Sequence, residues 1–197
     1  MLKIENEDEE DGEADSAADR FNFMQIPLVM TLISPDRTGL VEAVARAVAD
    51  HGGNWLDSRL CRLGGEFAGI LRVDIPADEK SALLAALQKL QTDGLQIIVR
   101  DDTPVAAGAG KQAKLEIVGA DRPGIVREIT SALARAGVNV EEFSSEVSSA
   151  PMSGETLFKA GARLQLPEHG DLAALKKNLE KIAADLLVDV SLAELAG

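Results

Sequence analysis

Ser34-Pro35-Asp36-Arg37-Thr38-Gly39-Leu40 leads into a short helical pattern that stops at Gly52-Gly53-Asn54. Gly119-Ala120-Asp121-Arg122-Pro123-Gly124-Ile125 leads into a second one, which stops at Gly137-Val138-Asn139. Each stretch follows an apolar, strand-like run, and each carries an Asp-Arg-x-Gly turn. The interval from Asp36 to Asn54 equals that from Asp121 to Asn139. A register shared by a whole strand-turn-helix unit marks an internal duplication, which predicts two related domains.

Working outward, Leu28, Met30 and Leu32 share one side of the strand before the first turn. Leu40, Val44 and Val48 form one stripe of a helix over 39–50, and Ile125, Ile129 and Leu133 repeat it. Gly52 is placed to end the helix, because glycine accepts the left-handed backbone of a helix stop. Strands over 56–63 and 67–75 flank Gly64-Gly65, a hairpin turn. A helix over 78–91, striped by Leu83, Leu87 and Leu90, and a strand over 95–100 complete the first half. The second half offers a strand over 114–118, its helix, a strand over 140–147 and a longer loop, Ala150–Glu155. Phe158, Ala160, Ala162, Leu164 and Leu166 then alternate with Lys159, Gly161, Arg163 and Gln165, a half-buried strand. A helix over 171–186 and a strand over 188–192 close the chain.

Each half reads strand-helix-strand-strand-helix-strand. The predicted fold class is therefore α+β: two ferredoxin-like (βαββαβ) domains in tandem, with antiparallel sheets and both helices on one face. The expected division is an acidic tail at 1–24, domains at 25–101 and 114–197, and a linker at 102–113.

Composition narrows the function. The formal net charge is −13. Residues 1–20 hold nine acids against Lys3 and Arg20, which reads as a solvated tail. Phosphate binding needs clustered Lys and Arg, and no helix carries such a cluster, so direct nucleic-acid binding is not expected. No apolar run is long enough to span a bilayer, and an acidic start argues against a secretory signal. A cytoplasmic protein with no membrane partner is expected. Cys61 is the single cysteine, which excludes an intrachain disulfide and a cysteine metal cluster. In a strand pattern it reads as a buried small hydrophobe.

Two readings of the turns stay open. In one, Asp36 and Asp121 are helix N-caps, Pro123 suits a first helical turn, and the turns are structural. In the other, Gly39 and Gly124 let a ligand approach the backbone, and first-turn N–H groups hold its carboxylate. Asn54 and Asn139 each offer a donor and an acceptor. That set suits an amino acid, which needs N–H groups for its carboxylate and oxygens for its ammonium.

Strand, Asp-Arg-Pro-Gly, helix, Gly-x-Asn and a ferredoxin-like remainder resemble the ACT domain, a regulatory module that binds small amino acids. The resemblance covers nearly everything after the tail, twice. Asn54-Trp55-Leu56-Asp57-Ser58-Arg59-Leu60, with Leu63-Gly64-Gly65-Glu66-Phe67, is similar to the glycine cleavage system transcriptional repressor family. Ala150-Pro151-Met152-Ser153-Gly154 is similar to a loop of the same group. The resemblance implies side-by-side ACT domains, a ligand such as glycine near the domain interface, and action through a transcription activator. The alternative partner is a metabolic enzyme. It also implies ligand-binding positions: Asp36, Arg37, Thr38, Gly39 and Leu40 with Asn54, and Asp121, Arg122, Pro123, Gly124 and Ile125 with Asn139. Thr38 departs from the family's proline, so the two sites are expected to differ, and the acidic tail is no part of the family pattern. An uncovered sheet edge or face in each half suggests a homodimer.

No catalytic residue, cofactor or metal is expected. His51 sits at a helix end, where a cation is favoured, and His169 lies in a loop, with no flanking cysteine to complete a metal set. Ser144-Ser145 and Ser148-Ser149 have no neighbouring histidine for a hydrolase triad. Gly108-Ala109-Gly110-Lys111 lacks phosphate-loop spacing. Trp55, opening a strand, reads as core or interface.

Overall fold

A computed structural model of the chain describes residues 24–91, 94–103, 110–149 and 156–195. The expected tail up to residue 23, half of the linker (104–109) and the loop Ala150–Glu155 lie outside the described residues. The chain divides into two compact units, Met1–Pro104 and Val105–Gly197.

Unit 1 runs β1 (Gln25–Pro35), α1 (Leu40–Asp50), β2 (Asn54–Leu63), β3 (Glu66–Pro76), α2 (Lys80–Leu90) and β4 (Gln96–Asp101). Unit 2 runs β5 (Gln112–Ala120), α3 (Ile125–Arg135), β6 (Asn139–Ser149), β7 (Thr156–Gln165), α4 (Leu172–Leu186) and β8 (Val188–Glu194). The sheets have strand orders β2-β3-β1-β4 and β6-β7-β5-β8, and every pairing is antiparallel. This is the α+β, ferredoxin-like order read from the sequence, formed twice.

Alternation in the strands and fourfold spacing in the helices build one core per unit. In unit 1, Leu28, Met30, Leu71, Val73 and Ile75 meet Val44, Leu83 and Leu87. In unit 2, Leu115, Ile117 and Leu164 meet Ile129, Leu133 and Leu179. Burying each such side chain contributes roughly 1.5–3 kcal/mol. Trp55 is half-buried against the first core, as its place in β2 suggests.

Local signals set the element ends. Gly52 and Gly137 have φ of 66° and 68° and stop α1 and α3 as expected. The N–H of Gly53 then donates to the Val48 carbonyl at 2.9 Å, and that of Val138 to Leu133 at 3.0 Å, closing the last turns. Gly64 and Gly65, with φ of 61° and 88°, form the tight β2–β3 hairpin.

Two expectations need correction. The linker was placed at 102–113, but β5 opens at Gln112, which pairs with Gln165, and Ala113 is fully buried. Cys61 is exposed, not buried. It pairs with Ala68, in the row that also holds Ile33, on the face the helices leave open.

Those open faces differ between the units. In unit 1 the row Ile70–Thr31–Ile98 crosses the sheet. Ile33, Ile70 and Ile98 are 44%, 48% and 59% exposed. The equivalent row of unit 2 is Gly161–Glu116–Ser191.

Candidate functional site

Each turn sits between the end of a central strand and the start of a helix. Gly39 (φ 93°, ψ 0°) is the N-cap of α1, and Gly124 (φ 99°, ψ −11°) is the N-cap of α3. The carbonyls of these glycines accept the first helical bonds, from Ala43 at 2.9 Å and Glu128 at 3.0 Å. No side chain caps either helix. The aspartate caps foreseen at Asp36 and Asp121 are therefore not formed. The helices begin later than the sequence suggested, so both aspartates stand outside the first turn. For the same reason Pro123 precedes the cap and does not occupy the first helical turn.

The aspartates instead tie the turns to the neighbouring strand connection. The Asp36 amide donates to the Gly65 carbonyl at 2.9 Å, and the Asp121 amide to the Thr156 carbonyl at 2.8 Å. Asp36 also takes an ion pair from Arg62 Nε at 2.7 Å. Asp121 has no ion pair among the described residues. Val147 stands in unit 2 where unit 1 has Arg62. The two turns thus differ in charge, and not only through Thr38 and Pro123.

The helix starts can receive an anion. Uncapped first-turn N–H groups carry the positive end of the helix dipole. Nothing lies within 4 Å of where a Cβ would stand on Gly39 or Gly124. The acids of the first turns are each engaged. Glu42 pairs with Arg46, whose guanidinium is held above its usual range by the hydrogen bond to Glu42. Glu128 pairs with Arg127 at 2.7 Å. Thr38, Arg37 and Arg122 are exposed at the turns, while Leu40 and Ile125 point into the cores.

The structure does not bring the asparagines to these turns within a unit. Asn54 pairs with Asp74, which pairs with Pro27, whereas Asp36 follows Pro35 at the other end of β1. Asn139 pairs with Gln165 and, through it, with Gln112, while Asp121 follows Ala120. Either separation spans eight residues of strand, about 27 Å.

Of the histidines, His51 is the C-cap of α1, as its place at a helix end suggested, and its Nδ1 lies 2.8 Å from Glu79 Oε2. His169 lines a cavity of about 610 Å³ in unit 2, beside Val138 and Leu166 and so at the Asn139 end. No motif marks this cavity. Its one signal in the sequence is a break in the duplication, Ala136 in place of His51. Among the described residues no group of His, Cys, Asp and Glu could hold a metal, and no helix is long and apolar enough to cross a membrane.

Residues 27–100 and 113–184 each match a sequence family described as ACT domain. The chain belongs to the ACT-domain family. It is 25% identical over 171 residues to the glycine cleavage system transcriptional repressor of Escherichia coli (strain K12), covering 83% of this chain and 85% of that protein. The repressor of the same name from Shigella flexneri matches to the same extent. A crystal structure of an unknown protein from Galdieria sulphuraria has 30% identity and a TM-score of 0.79, over 87% of this chain and 99% of that one. Another solved structure, assigned provisionally as a glycine cleavage system transcriptional repressor, shares the fold at 19% identity and a TM-score of 0.64, over 88% of this chain and 99% of that one. These matches extend across both ACT units, so the resemblance read from the turns holds for the tandem arrangement.

Proposed function

We propose that this tandem ACT protein senses a small amino acid, glycine or similar, and passes the signal to a protein partner without binding DNA itself. The turns Asp36–Leu40 and Asp121–Ile125 are the proposed sites. The observation that carries this is the pair of uncapped helix starts, each opened by a positive-φ glycine with free space above it. A carboxylate is the group such a start favours.

The second turn is the stronger candidate. Its Asp121 carboxylate is not engaged by an ion pair among the described residues and is available to a ligand ammonium, while Asp36 is held by Arg62. Asn54 and Asn139 lie too far from the turn of their own unit to touch the same small ligand there. The reading assigns the protein no catalysis and places it in the cytoplasm. The partner we favour is a transcription activator, by likeness to the repressors named above. We also propose a homodimer, supported by the exposed isoleucines on the open face of unit 1; light scattering that gives a monomer at all concentrations would refute it.

A thermal-shift screen of the purified chain against the common amino acids tests the sensor reading. A ligand that binds only the folded state adds about 2.7 kcal/mol at a hundredfold excess over Kd. Glycine or a similar amino acid should raise the melting temperature, and Asp121→Ala should abolish the rise. No rise with any amino acid would sink the proposal. A pull-down with and without the active amino acid then separates an activator from a metabolic enzyme.

A further inference from the structure

We propose that the cavity in unit 2, between the end of α3 and the start of α4, is a second ligand site, distinct from the turns. Its ligand is a small zwitterion with an apolar side chain. The volume of about 610 Å³ falls inside the range of about 300–1,000 Å³ typical of small-molecule sites. The floor is apolar, formed by Leu166, Leu172 and Leu175. Arg135 and Glu168 lie on the rim with opposite charges, and neither forms an ion pair among the described residues. Arg135 can take a carboxylate and Glu168 an ammonium, while the side chain covers the leucines. The start of α4 is not the anion site, because Asp171 Oδ1 already accepts the Ala174 N–H at 2.9 Å.

The equivalent place in the sister unit is bridged by a side chain. In unit 1 the C-cap of α1 is His51, whose imidazole reaches Glu79 at the start of α2 at 2.8 Å. That bridge spans the place where the cavity opens in unit 2. The C-cap of α3 is Ala136, which has no such reach. The connection to the last helix is also longer. Seven residues lead from Gln165 to Leu172, where six lead from Asp74 to Lys80. Both connections open with the same turn, closed by the Gly170 N–H on the Pro167 carbonyl at 2.9 Å and by the Glu79 N–H on the Pro76 carbonyl at 3.0 Å, and in unit 2 one more residue, the N-cap Asp171, precedes the helix. A Cβ on Gly170 would lie 2.9 Å from Pro167 Cγ, so a side chain there would have to displace the proline ring. A missing side-chain bridge and a connection one residue longer set this end of unit 2 apart from its copy.

The test is a titration of the ¹⁵N-labelled full chain, followed by amide shifts, with L-leucine and L-phenylalanine as probes and glycine as the contrast. Leucine or phenylalanine should give saturable shifts across 132–138 and 166–175. Ala136→His, which restores the residue of unit 1, should weaken this binding about tenfold or more, as should Arg135→Ala, which removes a charged partner. Asp121→Ala should leave it unchanged, so this site can fail or stand independently of the turns. Arg135 is exposed, so its variant still decides the matter if Ala136→His does not fold. No saturable shift at these amides, or shifts that Arg135→Ala leaves intact, would overturn the proposal.

Discussion

Arg62 Nε lies 2.7 Å from Asp36 Oδ2, joining the end of β2 to the first Asp-Arg-x-Gly turn. The backbone repeats the connection through the Asp36 amide and the Gly65 carbonyl. Among the described residues the second turn keeps only the backbone link, from Asp121 to Thr156, so one copy of the duplicated turn is fastened twice there and the other once.

Arg62→Ala is therefore expected to cost little stability. The Arg62 side chain is 70% exposed, and exposed pairs contribute less than about 1 kcal/mol. Urea denaturation measures the difference. A loss well above that figure would show that the pair holds the hairpin and is more than a surface contact.

Gly124→Ala and Gly39→Ala should each destabilise the fold by about 1–2 kcal/mol, although no atom stands in the way of the added methyl. The cost comes from backbone φ of 99° and 93°, which an L side chain resists. Equilibrium unfolding of the two variants checks this. Unchanged stability would mean that the turns relax to another geometry.

The aspartates should separate by role. Asp171→Ala removes a formed N-cap of α4 and should cost about 1 kcal/mol. Asp121→Ala removes no cap and should cost less, so it can be used in ligand experiments without unfolding the unit. Matched urea melts would reveal the opposite order if Asp121 were the true cap.

Leu83→Ala and Leu179→Ala each open a fully buried position, in unit 1 and unit 2 respectively. Each should cost about 2–5 kcal/mol. Because the two cores share no residue, hydrogen exchange should show lost protection in the mutated unit first. Equal loss in both would argue for one cooperative unit.

The fold was legible because the duplication supplied each pattern twice and the stripes had clear periods. Gly52 and Gly137 announced the helix ends, since a left-handed stop is a common use of glycine. The helix starts were misread for the same reason in reverse. Asp is a frequent N-cap, and a positive-φ glycine cap is not what the spacing of Asp36 and Gly39 first suggests. Cys61 looked buried because cysteine is usually buried, but residue type does not tell which face of a strand it takes, and past the irregularity between Trp55 and Asp57 it pairs with Ala68 on the open face. The unit 2 cavity left no motif at all, because an alanine in place of a histidine signals nothing until the two copies are compared in space. The candidate turns were found by their residue types, but their asparagines proved to belong to the far end of the same sheet.

That last separation gives the protein an internal gauge. Sites more than about 7–10 Å apart with no shared partner add their effects on stability to within about 0.5 kcal/mol. Asp121→Ala and Asn139→Ala are a full strand apart, so their costs to folding should simply add. Ligand affinity need not follow. A coupling energy between these two positions that appears only in binding would mean that one molecule touches both, and so that two copies of the module share it. The length of β5, fixed by its pairing with β7, turns a double-mutant cycle into a measurement of which modules meet.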